Sequence, residues 1–253
     1  MASRDEIIAY CDQLLEIEAF EDYGPNGLQV PGNPAVEKIA TGVSANLDLI
    51  AAAAERGAGL LLVHHGLFWD SAPRALSELM AGRLRRALEA EMSIAAYHLP
   101  LDAHPEIGNN ALLREGIGLD PDPQPFGEVK GRSVGVVGRA PEGLGAGELA
   151  ARVSDFVGRE PHVFGAGPQR IDRVGIVTGG GGSTLGEAVE LGLDALVTGE
   201  ISEPTPAEAR ETGIHVLAAG HHATETSGIR RLGELAAERF GVEHDFIEVP
   251  NPI

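Results

Sequence analysis

A single cysteine, Cys11, stands in 253 residues, so an internal disulfide and any zinc site built from several thiolates are excluded. Lysine is nearly missing: Lys38 and Lys130 are the only two. Arg and Lys together number 19 against 38 Asp and Glu, a formal net charge of −19. Such a surface repels a phosphate backbone, so sequence-independent nucleic-acid binding is not expected. The same acid-rich, lysine-poor balance suits a protein working in high salt, where screening removes self-repulsion. No apolar run approaches the ~20 residues of a membrane span. The N-terminus, Met1 to Glu6, leads into an amphipathic segment without an apolar signal core, and a cytoplasmic protein is expected.

What is present is an alternation of helical and strand patterns, the signature of an α/β fold. Ser3, with Glu6 three residues on, predicts the cap of a helix carrying Ile7, Ile8, Cys11, Leu14 and Leu15 on one face. Leu60 to Val63, Ile94 to Tyr97, Val174 to Val177, Ala195 to Thr198 and His215 to Ala218 read as buried strands. Pro121 to Pro125 reads as a linker. The expected division is a first α/β domain over 1–126, a second, inserted α/β domain over 127–204, and a segment over 205–253 completing the first. A weak repeat supports two related layers. The run from Ile39 to His65 and the run from Val174 to Glu200 each read strand, turn, helix, glycine stop, buried strand.

Histidine placement carries the chemistry. Three strands run straight into histidine-bearing loops: Val63-His64-His65-Gly66, Tyr97-His98 through Asp102 to His104, and Gly220-His221-His222 through Glu225. Ligands of open α/β sheets bind outside the carboxyl ends of the strands, which is where these residues fall. Imidazole with carboxylate suits Zn, Fe, Mn, Co or Ni. Neighbours on an extended segment point to opposite sides, so His64 and His65 are expected to reach different ions. Glu225, four residues after His221, has two oxygens with which to bridge a metal pair. The Thr178 to Thr184 glycine run reads equally as a phosphate cradle or a plain turn. Glu200 to Glu203, where the first copy of the repeat has its histidines, reads first as an acidic turn and second as a cleft-facing segment.

Together, Asp22-Tyr-Gly-Pro-Asn-Gly-Leu-Gln-Val30, Val63-His-His-Gly-Leu-Phe-Trp69, Tyr97 to His104 through Asn110, Gly199-Glu-Ile-Ser-Glu203 and Gly220-His-His-Ala-Thr-Glu225 resemble the dinuclear-metal-centre proteins labelled GTP cyclohydrolase I type 2 homologues. The likeness covers nearly the whole chain. It implies two α/β domains, the second inserted into the first, with the metal site at the carboxyl ends of strands. It implies two divalent ions per subunit on His64, His65, Asp102, His221 and Glu225. It also implies a toroidal homohexamer with its sites facing inward, and the chain lacks the large extra domain of some relatives.

The function expected on this footing is a metal-dependent hydrolase. Paired ions lower the pKa of a bridging water, and the hydroxide opens the imidazole ring of a purine nucleotide with release of formate. His98 or His104 serves as general acid or base. A phosphoesterase using the same ions, and a non-enzymatic metal-binding or partner-binding ring, are the alternatives. Apart from its own copies, the partner expected is a small molecule such as a nucleotide.

Overall fold

The structure is a computed structural model describing residues 1–253. The chain forms two compact units: Met1–Leu101 with Gly228–Pro250, and Asp102–Ser227 with Asn251–Ile253. Each is an α/β unit built on one main sheet, and the second interrupts the first in sequence.

In the first unit the sheet order is Glu243–Phe246, Lys38–Ser44, Leu60–His65, Ser93–Ala96, Gly27–Val30. Its first four strands are parallel and Gly27–Val30 is antiparallel at the edge. Leu60 to Val63 and Ser93 to Ala96 are buried throughout, as the unbroken apolar runs require of strands covered on both faces. Helix Leu47–Glu55 links two neighbouring parallel strands. Asn46 caps it by accepting the Leu49 N–H, and Leu49, Ile50 and Ala53 face the core with Leu61, Val63, Met92 and Ile94. Helix Arg4–Leu14 begins at Ser3, whose hydroxyl accepts the Glu6 N–H, and it buries Ile7, Ile8 and Cys11. No helix is long and apolar enough to cross a membrane.

In the second unit the order is Asp120–Val129, Arg132–Leu144, Ile171–Val177, Ala195–Thr198, His215–Ala218, His162–Phe164. Ile171–Val177, Ala195–Thr198 and His215–Ala218 are parallel. Leu113 and Ile117 join Leu149 and Val153 of helix Ala146–Val157, and Val174, Ile176 and Val197 of the sheet, in one core. The repeat is real at the level of topology: Lys38–Ser44 to Leu60–His65, and Ile171–Val177 to Ala195–Thr198, are both strand–helix–parallel strand units.

Two segments differ from the sequence reading. The proline-rich stretch is not a linker but the start of strand Asp120–Val129, at the sheet edge. Proline lacks a ladder donor, and an edge strand needs donors on one side only. The strand pairs solely with Arg132–Leu144, its register shifts between Asp122 and Phe126, and buried Asp122 accepts from Arg139 and Arg173. Strand His215–Ala218, placed by sequence in the part returning to the first domain, instead pairs with Ala195–Thr198, with helix Thr205–Thr212 as the crossover. The return to the first sheet comes through helix Thr226–Phe240 and strand Glu243–Phe246.

Candidate metal centre

Within each sheet the parallel strands share a direction; of the expected ligand set, His64 and His65 belong to the first unit and Asp102, His221 and Glu225 to the second. In the first unit His64 and His65 are the last two residues of Leu60–His65, and His98 follows Ser93–Ala96 by two residues. One ligand atom from each of His64, His65 and His98 lies within 4.8 Å of the others. The His64 and His65 ring centroids are 4.7 Å apart and tilted by 46°, so the strand's end lets these neighbours lie together rather than on opposite faces.

The tautomers follow from the partners. His64, fully buried, has Nδ1 2.9 Å from the Tyr97 carbonyl, which can only accept, so Nδ1 carries the proton and Nε2 the lone pair. His65 Nδ1 lies 3.0 Å from Ser44 Oγ. His98 Nδ1 donates to Asp22 Oδ1 at 2.7 Å. Asp22 also accepts from the backbone N–H groups of Tyr23 and Leu99 and from Asn26 Nδ2, while Asn26 Oδ1 takes the His98 N–H. Burial opposes ionisation of Asp22, but the His98 hydrogen bond and charge, with Asn26 and the Tyr23 amide, hold its carboxyl below the usual range. A recess of about 10 Å³, room for a single water, lies beside the rings and is lined by His64, His98, Phe68 and Trp69.

The second unit supplies the carboxylates. Glu225 is 3% exposed, and a carboxylate oxygen of it lies within 4.8 Å of a ligand atom on Asp102, as one does for His221. His221 Nε2 is 3.3 Å from Glu225 Oε2, and His221 Nδ1 is 3.2 Å from Glu200 Oε1. Burial disfavours the imidazolium, yet the hydrogen bonds and charges of Glu225 and then Glu200 outweigh it and raise His221 to about 9. A proton therefore sits among donors that a divalent cation would take, and the residues present fit such an ion. Asp102 is oriented by buried Asn109, whose Nδ2 donates to Asp102 Oδ1 at 2.8 Å. Neighbouring Asn110 donates to the Val134 and Asp102 carbonyls and accepts the Thr178 N–H.

The glycine run packs against this half-site. Gly179, at φ +61°, donates its N–H to Thr224 Oγ1, and a Cβ there would overlap Glu225 Oε1 and stand 3.1 Å from His221 Nε2. The run is thus a side-chain-free wall, with an amide already committed to Thr224. Gly220, at φ +96°, turns strand His215–Ala218 into the short helix His221–Thr224.

His104 Nδ1 accepts the N–H groups of Glu106 and Ile107, both at 3.2 Å, a turn-capping role. Asp22, Asn109 and Glu200 were not singled out as site residues by sequence. The loop containing Asp22 and Asn26 was legible as a turn and as part of the family resemblance, and Glu200 as part of an acidic turn with a cleft-facing place as the second reading.

A two-unit α/β protein with imidazoles and carboxylates gathered at strand carboxyl ends defines the class: a protein built with groups suited to binding metal ions. The Duf34/NIF3 (NGG1p interacting factor 3) family matches residues 2–252, and the chain belongs to that family. It is similar to the GTP cyclohydrolase 1 type 2 homolog of Allochromatium vinosum, 43% identical over 247 residues, covering 98% of this chain and 96% of that one. The protein of the same description from Deinococcus radiodurans is 40% identical over 247 residues, with 98% and 93% covered. Among solved structures, TTHA1606 from Thermus thermophilus superposes with a TM-score of 0.88 at 33% identity, covering 99% of this chain and all of that one.

Proposed function

We propose that the chain is a hydrolase dependent on two divalent cations held by His64, His65, Asp102, His221 and Glu225, with Glu225 bridging. The observation that carries this reading is the buried Glu225 carboxylate, set within 4.8 Å of both Asp102 and His221. Bound ions supply Lewis acidity and bring the pKa of coordinated water toward neutrality. The protein's own groups do the rest. The Asp22–His98 couple, with Nδ1–H bound to Asp22, leaves His98 Nε2 to take and return a proton, and Phe68 and Trp69 wall the recess beside it. The relatives' description as GTP cyclohydrolase homologues favours a purine nucleotide as substrate and ring opening with formate release as the reaction. The assembly proposed is a homohexameric ring with inward-facing sites.

Two measurements test this. Formate release from GTP with added Mn, Fe or Zn is expected, and its absence from protein carrying two ions per chain would favour a binding role over catalysis. Glu225→Gln is expected to lower occupancy of both ions and His221→Ala chiefly of one; two ions kept by Glu225→Gln would show that the carboxylate does not bridge.

A further inference from the structure

Glu200 lies where the repeat places His65 in the first unit, at the carboxyl end of the second strand of its strand–helix–strand unit. Its backbone is tied on both sides: the Glu200 N–H donates to Gly179 O at 2.9 Å, and the Gly220 N–H donates to Gly199 O at 2.8 Å. Gly199 is pressed so closely on its neighbours that a Cβ would come within 2.7 Å of His221 Cα. The segment carrying Glu200 therefore cannot drift from the segment carrying His221. From this fixed base the Glu200 carboxylate meets His221 Nδ1 at 3.2 Å, on the side of the ring opposite Glu225. A Cβ built on Gly180 would stand 3.8 Å from Glu200 Oε1 and 3.9 Å from His221 Cε1, so the pair lies directly beside this position without crowding it.

A histidine that binds a metal through one nitrogen needs its proton fixed on the other, and a carboxylate acceptor does this while holding the ring plane. We propose that Glu200 is the positioning residue of His221: it accepts the Nδ1–H and thereby presents Nε2, beside Glu225, to a divalent cation. The inference rests on the metal-binding reading and adds to it a residue outside the ligand set. It also makes the two ions unequal, because Asp102 is oriented by a neutral amide, Asn109, whereas His221 is oriented by a charged carboxylate.

The test uses the full chain, stripped by chelator and titrated with Co(II) and Zn(II) against a chromophoric competitor. Parent, Glu200→Ala, Glu200→Gln, Glu200→Asp and His221→Ala are compared, with the Co(II) visible spectrum and the metal-stripped Tm recorded for each. Glu200→Ala is expected to weaken one of two sites by about 10–100-fold and to alter the spectrum of that site. Glu200→Gln, whose amide oxygen still accepts the Nδ1–H, is expected to fall between, and Glu200→Asp to recover part of the loss. The stripped Tm should hardly move, since the side chain is 46% exposed. Parent-like affinities in Glu200→Ala, with one ion lost in His221→Ala, overturn the positioning role alone. A lowered stripped Tm with unchanged affinity overturns it as well, leaving only a structural contact. Two ions held at parent affinity by His221→Ala would remove the ligand role of His221, and this proposal with it.

Discussion

Adding one methyl group at Gly179 should disable the second unit's half-site. Two effects act at once. Gly179 sits at φ +61°, and an L-residue in that left-handed region costs roughly 1–2 kcal/mol. At 2–4 °C per kcal/mol for a chain of this size, the metal-stripped Tm should fall by about 2–8 °C. The larger effect is local. The new Cβ would overlap Glu225 Oε1 and lie 3.1 Å from His221 Nε2, so the carboxylate must swing away from the place where it meets both Asp102 and His221. Loss of this ligand should weaken metal binding by at least about 100-fold, or ~2.8 kcal/mol at 1.4 per decade. Gly180 provides the matched control. Its φ is −79°, and a Cβ there would meet nothing nearer than 3.8 Å. Isothermal titration of stripped Gly179→Ala and Gly180→Ala with Zn(II), beside their melting curves, measures both effects. Parent-like affinity in Gly179→Ala would show that the Glu225 carboxylate is not a ligand in the arrangement described.

Burial, with the charge of Asp12 adding, pushes the Cys11 thiol up to about 12, so at pH 8 only about one in 10⁴ is ionised, and alkylation by iodoacetamide should be negligible until the protein unfolds. Labelling at a free-thiol rate in native protein would contradict the packing of helix Arg4–Leu14. Asn110, wholly buried, satisfies two carbonyls and one N–H, so Asn110→Ala should cost about 3 kcal/mol or more, read as a lowered urea midpoint with unchanged slope. His244 is held below its ordinary value chiefly by burial, with Arg230 assisting and Glu234 and Asp245 opposing, and its Nε2 lies 2.8 Å from Thr41 Oγ1. The unfolded chain therefore takes up this proton first, and stability is lost as pH falls from the unfolded value of about 6.5 toward the lower folded one, with a slope of at most about 1.4 kcal/mol per pH unit. The stability advantage of the parent over His244→Gln should shrink between pH 7 and pH 5 in urea titrations; a constant gap would refute the assignment.

Sequence alone determined the elements whose causes are local. The Ser3 cap and the apolar stripe behind it specify helix Arg4–Leu14, and the short unbroken run Leu60 to Val63, bounded by a glycine before it, reads as a strand covered on both faces. It also placed His64, His65, His98, His221 and Glu225 at or just beyond strand carboxyl ends, because a parallel strand delivers its last residues and those that follow to the ligand edge. Tertiary structure decided what depends on partners distant in the chain. Pro121 to Pro125 looks like a linker until Arg132–Leu144 lies alongside it and makes it an edge strand. Asp22 is one acidic residue among many until the return of Ser93–Ala96 brings His98 Nδ1 to 2.7 Å. Glu200 and Asn109 acquire their parts in the same way, since a hydrogen bond to a site side chain depends on distance and angle, and neither is written in residue order.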